Sequence, residues 1–352
     1  MKAWVLHDIA DIHFEEIHKP KLKAGEVLFR VKAAGICGSD IPRIYKTGAH
    51  KMPLIPGHEF SGIVEGCGEG VSKEWIGKHA AVYPLIACGK CVSCLKGKPQ
   101  LCRNYDYLGS RRDGAFAEYL ALPAKNLMEI RETVPFEEAA MLEPMAVAVH
   151  AMQQGISHFK EEKSQDSNVV VCGMGTIGSI LTMFLIAEGF KNIFVVGNKD
   201  SQKKRAEILG IKDENFCDMR RENVTDWLRQ HGGADIYFEC VGRNESVSYG
   251  IDVSNAGARI VMVGNPYSDM TLSRDVYWKI LRNEIFITGS WNSVFLQERN
   301  DDDWHYVKRC LEEKKIAPKK LISHRFSIDE LDKGFKIMRD KTEDYCKIMM
   351  VQ

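Results

Sequence analysis

Four cysteines within a fifteen-residue segment carry the strongest chemical signal in this sequence. They are Cys88, Cys91, Cys94 and Cys102, spaced Cys-x2-Cys-x2-Cys-x7-Cys. Four thiolates at this spacing can surround one Zn²⁺ as a closed tetrahedral site, which has no open position for a substrate. Free cysteines and an iron–sulfur cluster are the alternatives, but cluster-binding sequences are typically spaced differently and often end in Cys-Pro. We therefore expect a structural zinc here.

A second set of potential metal ligands is spread more widely along the chain. Cys37 lies in Gly-Ile-Cys-Gly-Ser-Asp, His58 and Glu59 are adjacent, and Glu143 precedes a proline. One Cys, one His and one carboxylate form a plausible three-ligand set with a fourth position free for water or substrate. Taken singly, each is more often a buried cysteine, a hydrogen-bonded histidine or a glutamate at a helix end. Spacing alone does not group them.

A glycine-rich motif follows one predicted strand and opens a predicted helix. Its sequence, Gly-Met-Gly-Thr-Ile-Gly, supplies the candidate residues Gly173, Gly175, Thr176, Ile177 and Gly178. In a dinucleotide-binding site the first glycine makes a tight turn, the second lets the backbone approach pyrophosphate, and the third allows close helix–strand packing. The helix N-terminus then faces the anion. A generic glycine turn is the alternative, but the strand–turn–helix context favours nucleotide binding.

The acidic residue that binds the adenosine ribose in NAD-binding motifs is missing here. About 20 residues after the glycine motif, where that carboxylate is expected, the chain has Asn198 and then Lys199. Lys203 and further basic residues follow on a predicted helix. Nearby cations and no carboxylate would suit a 2′-phosphate, although Asp200 could still reach the ribose. A solvated basic helix face is the more common explanation of such lysines.

The patterns of the two halves of the chain differ. Residues 1–145 consist of short strands broken by Gly and Pro, whereas apolar strands alternate with helices after about residue 150. The second pattern predicts a parallel sheet covered on both faces. We predict strands at Val27–Val31, Phe60–Val64, His79–Tyr83, Asn168–Gly173, Ile193–Val196, Asp235–Glu239, Arg259–Val263, Glu284–Thr288 and Tyr345–Val351, and helices at Thr176–Gly189, Ser201–Leu209, Asp303–Lys314 and Ile328–Arg339.

Composition limits the class of protein. The 352 residues include 48 basic and 48 acidic ones, so the formal net charge is zero, and nothing favours a nucleic-acid or membrane-surface partner. The longest apolar stretch has about 11 residues, against the roughly 18 needed to suggest a membrane span. We expect a two-domain cytoplasmic protein, in which the 11 cysteines do not form disulfides.

Together, the motifs and their order resemble the zinc-dependent medium-chain dehydrogenases, which include alcohol, sorbitol and threonine dehydrogenases. The resemblance implies an α/β protein with a GroES-like, β-rich catalytic domain, residues 1–149 and 292–352, and a doubly wound Rossmann domain, residues 150–291. The strings that begin at Cys37, Gly57, Tyr105, Lys279 and Gly289 resemble the members of this family that act on a polyol phosphate of the galactitol 1-phosphate type.

The resemblance also assigns roles to residues. Cys37, His58 and Glu143 fall on the family's catalytic zinc positions, and Glu59 matches a residue that is a ligand only in some states. Ser39 resembles a hydroxyl that relays the proton, although a turn or helix cap is an equally good explanation. The family implies two zinc ions per chain, hydride transfer between a secondary alcohol and NAD or NADP, with NAD slightly favoured, and a homodimer or homotetramer.

A phosphorylated substrate needs local cations, because the protein has no net positive charge. Arginines bind phosphate best, and the candidates are Arg43, Arg111 and Arg112, with His50 close to Arg43 in sequence. A surface or interdomain salt bridge is the alternative for each arginine. A dehydrogenase of a free polyol, or of threonine, is the alternative function. A non-catalytic nucleotide-binding protein is disfavoured because no zinc ligand of the family is missing.

Overall fold

The computed structural model describes residues 1–156 and 164–352, which form two compact units. Unit 1 comprises Met1–Ala146 and Ser293–Gln352, and unit 2 comprises Val147–Asn292. Unit 1 is therefore discontinuous in sequence. In the described residues, no helix is both long and apolar enough to cross a membrane, and no two cysteines are joined in a disulfide.

The strands and helices are numbered in chain order. The strands are β1 Lys2–Asp8, β2 Asp11–Glu16, β3 Glu26–Ile36, β4 Glu59–Cys67, β5 His79–Val82, β6 Leu85–Ile86, β7 Asp106–Tyr107, β8 Tyr119–Pro123, β9 Leu127–Glu129, β10 Asn168–Cys172, β11 Asn192–Gly197, β12 Phe216–Asp218, β13 Ala234–Glu239, β14 Ser254–Met262, β15 Phe286–Gly289, β16 Ile322–Phe326 and β17 Lys347–Val351. The α-helices are α1 Asp40–Pro42, α2 Val92–Leu95, α3 Phe136–Ala140, α4 Leu142–Ile156, α5 Thr176–Ala187, α6 Asp200–Leu209, α7 Val224–Gln230, α8 Asn244–Val253, α9 Arg274–Arg282, α10 Asp303–Glu312 and α11 Leu331–Asp340.

Unit 1 is built on one mainly antiparallel sheet. Its order is β16-β17-β3-β4-β5-β9, and β8 also pairs with β3. Aromatic side chains fill the core that includes this sheet. Phe29 and Phe60 are fully buried in a T-shaped, edge-to-face pair with ring centroids 5.9 Å apart, and Phe116 packs on Phe335 of α11. Because α11 and β17 come from the second segment of unit 1, the core requires both segments of the chain.

Unit 2 contains a parallel six-stranded sheet with the order β12-β11-β10-β13-β14-β15. In terms of position along the chain this is the order 3-2-1-4-5-6, which is the doubly wound arrangement of dinucleotide-binding folds. Val169–Val171 in β10 and Val195–Val196 in β11 are all buried, as expected for strands covered on both faces. The predicted fold class, a β-rich unit with a doubly wound parallel sheet, is confirmed.

The main differences from the sequence prediction occur at element ends and in short elements. The predicted helix Thr176–Gly189 ends at Ala187, because Gly189 turns the chain at φ +82°. The strand predicted at Glu284 begins at Phe286, because Glu284 has a positive φ. Elements that were not predicted include β1, β2, β12, β16, α7, α8 and α9.

One glycine gives a direct test of the pairing between β3 and β4. A Cβ atom on Gly62 would lie 2.0 Å from the backbone oxygen of Arg30, and backbone cannot move aside as a flexible side chain can. We expect Gly62→Ala to cost about 3 kcal/mol of stability or more, measured as a fall in melting temperature. The control is Gly66→Ala in the same strand, where the nearest atom would be 3.6 Å away. Equal melting temperatures for the two variants would contradict this register.

Candidate functional site

The four cysteines predicted to hold a structural zinc are brought together by the structure. Their sulfur atoms lie 3.5 Å apart for Cys91–Cys94, 3.9 Å for Cys91–Cys102 and 4.0 Å for Cys88–Cys94. A tetrahedral zinc with Zn–S bonds of about 2.3 Å requires sulfur–sulfur distances of about 3.8 Å. The four cysteines therefore have the geometry that a zinc ion needs.

The backbone around these cysteines favours thiolates. The N–H groups of Lys90 and Cys91 lower the pKa of the Cys88 thiol, and the N–H of Cys94 lowers the pKa of Cys91 to about 6. Burial and the neighbouring thiols act in the opposite direction and raise the pKa of Cys94 to about 12. A cation bound to all four sulfurs would stabilise the thiolates that the backbone alone does not.

The second cluster forms where β3 ends and β4 begins. Gly35 of β3 pairs with Glu59 of β4, so Cys37, which follows β3, lies next to His58 and Glu59. Candidate ligand atoms of Cys37, His58 and Glu59 all lie within 4.8 Å of one another. The antiparallel register therefore groups three of the residues that sequence spacing could not group.

A buried aspartate that the sequence analysis did not single out supports this cluster. Asp40 accepts the backbone N–H of Cys37 at 2.9 Å and Nη1 of Arg43 at 2.6 Å. Its Oδ1 is 3.3 Å from Nδ1 of His58, which is buried and makes no hydrogen bond within the described residues. If Nδ1 faces the carboxylate, Nε2 is the nitrogen available to a metal.

Two glutamates at the cluster have different partners. The carboxylate of Glu59 pairs with the ammonium of Lys347, and both side chains are almost completely buried. Glu143, at the start of α4, is not among the three grouped ligands. It accepts a hydrogen bond from the Tyr107 hydroxyl at 3.3 Å, and the Tyr107 ring lies 5.8 Å from that of His58. Burial raises the pKa of Glu143 to about 7, so a nearby cation would favour its ionised form.

The net charge of the residues around the cluster would be balanced by one divalent cation. The acidic groups are Cys37, Asp40, Glu59 and Glu143, and the basic ones are Arg43 and Lys347. In the protonation states that metal binding requires, with Cys37 and Glu143 ionised and His58 neutral, the negative charges exceed the positive ones by two. One Zn²⁺ has that charge, so the donor set fits zinc in chemistry as well as in spacing.

The remaining predicted residues of unit 1 differ in what they contact. The Ser39 hydroxyl donates to the sulfur of Cys37 at 3.3 Å and does not cap α1. The Arg111 guanidinium lies 4.6 Å from the Tyr105 ring centroid, and its buried Nε has no partner in the described chain. His50 is exposed, and its backbone N–H donates to Ser110.

Arg112 is not brought to the cluster. Its guanidinium donates to Glu26 at 2.9 Å and lies 3.6 Å from Asp106. Glu26 begins β3, whereas Cys37 follows the other end of that strand. Arg111 and Arg112 line the same cavity, but their contacts differ, because Arg112 forms ion pairs whereas Arg111 packs on Tyr105.

The glycine motif in unit 2 has the features that a dinucleotide loop needs. Gly173 has φ +100°, and a Cβ on Gly178 would lie 1.9 Å from the Gly173 oxygen. A Cβ on Gly175 would meet nothing within 4 Å, so the space beside its backbone is open. Thr176 begins α5. Because the N-cap residue is Gly175, no N-cap side chain accepts the first N–H groups of this helix. These features match the separate roles of the three glycines in pyrophosphate binding.

The residues after β11 lie at the end of the strand that neighbours β10 and the glycine motif. Asn198 and Lys199 are exposed, and Lys199 is the N-cap of α6. Lys203 forms an ion pair with Asp213, and Asp200 accepts from Arg220 at 2.5 Å. Arg205 of α6 donates to the Met174 oxygen in the glycine motif at 2.6 Å. Lys203 is therefore engaged with an acidic partner, and Asn198 and Lys199 directly follow the end of β11.

Comparisons with known proteins agree with both units. Residues 23–132 match the family model of the alcohol dehydrogenase GroES-like domain, and residues 176–309 match that of the zinc-binding dehydrogenases. Galactitol 1-phosphate 5-dehydrogenase of Escherichia coli K12 is 32% identical over 312 residues, which is 88% of each chain. The crystal structure of galactitol-1-phosphate dehydrogenase from Escherichia coli superposes with a TM-score of 0.90 at 30% identity over all of both chains. A zinc-binding dehydrogenase from Sinorhizobium meliloti bound to NADP gives 0.89 at 25% identity, over 100% of this chain and 99% of that one.

We expect the two metal centres to be separable. Wild-type protein should contain two zinc ions per chain, whereas Cys37→Ala and Cys91→Ala should each contain about one. Loss of a structural zinc removes folding free energy, so Cys91→Ala should lower the melting temperature by about 5 °C or more, and Cys37→Ala should lower it less. Elemental analysis and thermal unfolding measure both effects. Cys67→Ala, outside both clusters, is the control and should retain two ions; one ion in the metal-replete wild type would contradict this assignment.

Proposed function

Because the chain belongs to the zinc-dependent medium-chain dehydrogenases, which are NAD(P)-dependent oxidoreductases acting on CH–OH groups, we propose that it oxidises a secondary alcohol of a polyol phosphate. The product is the corresponding ketose phosphate, and the substrate is of the galactitol 1-phosphate type. The observation that supports this substrate is the similarity to galactitol 1-phosphate 5-dehydrogenase over 88% of both chains.

Cys37, His58 and Glu59 form the proposed zinc site, and Glu143 is the further carboxylate that would hold the metal. Zinc in this position supplies a Lewis acid that lowers the pKa of the substrate hydroxyl, and the nicotinamide ring accepts the hydride. Asp40 orients His58 and holds the backbone of Cys37. Lys347 forms a buried ion pair with Glu59 and thereby holds this carboxylate in place.

Ser39 is the proposed first acceptor of the hydroxyl proton. Its hydroxyl lies within hydrogen-bond distance of the Cys37 sulfur and does not serve as a helix cap. A hydroxyl can accept one proton while it donates another, so this side chain would pass the proton on to a ribose hydroxyl of the nicotinamide cofactor. Tyr107 donates to Glu143 and thereby fixes the orientation of the second carboxylate.

Arg111 is the strongest of the phosphate candidates, with Arg43 second. No carboxylate among the described residues pairs with Arg111, whereas Arg43 shares its charge with Asp40 and Arg112 with Glu26 and Asp106. A phosphate therefore competes with no acidic side chain at Arg111. His50 is on a segment joined to Ser110 by a backbone hydrogen bond, and it is retained as a supporting residue.

The preference for a phosphorylated substrate can be measured directly. Wild-type kcat/KM for galactitol 1-phosphate should exceed that for galactitol by about 100-fold, because a charged hydrogen bond to phosphate contributes roughly 1.5–3 kcal/mol. Arg111→Met should remove about 10- to 100-fold of this advantage, mainly through KM, and leave the efficiency with galactitol unchanged. Absorbance of the reduced nicotinamide gives the rates with each substrate.

The matched control is Arg103→Met, since Arg103 is an exposed arginine of the same unit with no proposed role. It should behave as wild type with both substrates. Equal efficiencies of the wild type for galactitol 1-phosphate and galactitol would refute the phosphate assignment and support the free-polyol alternative. Activity confined to threonine would refute both.

A second copy of the chain is the proposed partner of unit 2. Strand β15 lies at the edge of the parallel sheet and exposes Phe286 and Ile287, while Tyr277, Trp278 and Leu281 of α9 are also exposed. An apolar edge strand is a template for pairing with another strand, and an exposed apolar patch marks an interaction site. Pairing of two β15 strands about a two-fold axis would satisfy both edges at once.

Light scattering coupled to size exclusion tests this interface. The wild type should have at least twice the chain mass of 39.8 kDa, and Ile287→Lys should shift the protein to the monomer, because a lysine in an edge strand blocks pairing. The control is Ile76→Lys, which places the same charge at an exposed apolar position of unit 1. A monomeric wild type, or an unchanged mass for Ile287→Lys, would rule out this interface.

A further inference from the structure

The carboxyl end of β11 is where unit 2 would meet the adenosine ribose of a dinucleotide. β11 lies beside β10, which leads into the glycine motif, and the Gly173 N–H donates to the Val196 oxygen near the end of β11. In folds of this order a carboxylate at this strand end accepts the ribose hydroxyls of NAD, and a nearby arginine accommodates the 2′-phosphate of NADP. The identity of the residues here therefore sets the cofactor preference.

The last residue of β11 is Gly197, and its position has no room for a carboxylate. A Cβ on Gly197 would lie 2.7 Å from Cζ of Phe216 and 2.9 Å from Oε1 of Gln202. That same Gln202 oxygen accepts the N–H of Asn198 at 2.7 Å. The strand end is therefore held by a neutral amide, and this acceptor is already engaged.

Two of the carboxylates nearby, Asp200 and Asp218, are held by Arg220, and Arg221 also lies 3.7 Å from Asp218. Arg220 donates to both oxygens of Asp218, at 2.8 Å and 2.6 Å, and to Asp200 at 2.5 Å. The hydrogen bonds from Arg220 lower the pKa of Asp218 to about 2, so this carboxylate stays ionised and paired. Both carboxylates therefore already accept hydrogen bonds from Arg220. Neither is an unpaired acid of the kind that accepts the ribose hydroxyls of NAD.

Two basic residues lie at the strand end beside these carboxylates. Lys199 follows Asn198 directly, and the Nη1 group of Arg220 makes no hydrogen bond within the described part of the chain. A 2′-phosphate is a dianion that a ribose carboxylate would repel and that lysine and arginine attract. An uncharged Asn198 can donate its amide to a phosphate oxygen without repulsion.

We propose that this strand end selects NADP over NAD, with Asn198, Lys199 and Arg220 binding the 2′-phosphate of the adenosine ribose. The inference rests on the proposed function as a nicotinamide-dependent dehydrogenase and specifies its cofactor. Gly197 contributes by the absence of a side chain, because any acid placed there would displace Phe216 or Gln202.

Binding of the adenosine half alone tests the site without turnover. Isothermal titration calorimetry of the full chain should show 2′,5′-ADP binding at least tenfold more tightly than 5′-AMP, with an advantage that decreases as salt screens the phosphate. Lys199→Met should reduce affinity for 2′,5′-ADP about tenfold and leave that for 5′-AMP unchanged. Asn198→Asp should also weaken 2′,5′-ADP selectively, because it restores a carboxylate at the ribose.

The control is Lys204→Met, which removes one exposed charge from the same helix and should not alter either affinity. Equal wild-type affinities for 2′,5′-ADP and 5′-AMP would overturn the proposal, and so would an equal loss of both in Lys199→Met. Neither ligand contains the nicotinamide or needs the substrate site. Failure to oxidise polyol phosphates would therefore count against the proposed function only. The ratio of the affinities for 2′,5′-ADP and 5′-AMP would still decide the cofactor proposal.

Discussion

The register that joins β3, β4 and β17 is the constraint on which the proposed catalytic unit depends. Gly35 is paired with Glu59 on one side and with Met349 on the other, and this places Lys347 against Glu59. A Cβ at position 35 would lie 2.3 Å from the Glu59 carboxylate, so the approach requires glycine. Burial of two charges is tolerated only when they are paired. A shift by one residue would turn every side chain to the opposite face and separate the pair.

Local signals in the sequence were sufficient to predict two sites, the four-cysteine loop and the glycine motif. The four-cysteine loop lies in one short segment and the glycine motif joins a strand directly to a helix, so their spacing already contains most of the geometry. The cluster of Cys37, His58 and Glu59 is different, because it exists only through the β3–β4 register, and the sequence could group it only by resemblance. Helix α7 was missed because it has only seven residues, which is too few for a clear helical period. Helices α8 and α9 are about as long as α6, which was predicted, so their length does not explain why they were missed.

Other functional details depend on contacts between distant parts of the chain. Lys347 lies 288 residues from Glu59, and only its position in an otherwise apolar strand hinted at a buried partner, since lysine is rarely fully buried unless paired. Nothing in the sequence marks Asp40 as important. Its role appears only in the structure, where its carboxylate accepts a hydrogen bond from Arg43 and lies 3.3 Å from Nδ1 of His58. The two arginines at 111 and 112 were equivalent in sequence, but one packs on Tyr105 and the other forms ion pairs.

The discontinuity of unit 1 affects the order in which the protein can fold during synthesis. The ribosome releases β3 and β4, then all of unit 2, and only afterwards β17 with Lys347. At about 5–20 residues per second, the roughly 200 residues between Ala146 and Lys347 take about 10–40 s. During that interval Glu59 lacks its buried cation and β3 lacks one neighbouring strand, whereas the last strand of unit 2, β15, is complete at Gly289, before Lys347 is made. Nascent unit 2 can therefore fold while unit 1 still awaits its last strand.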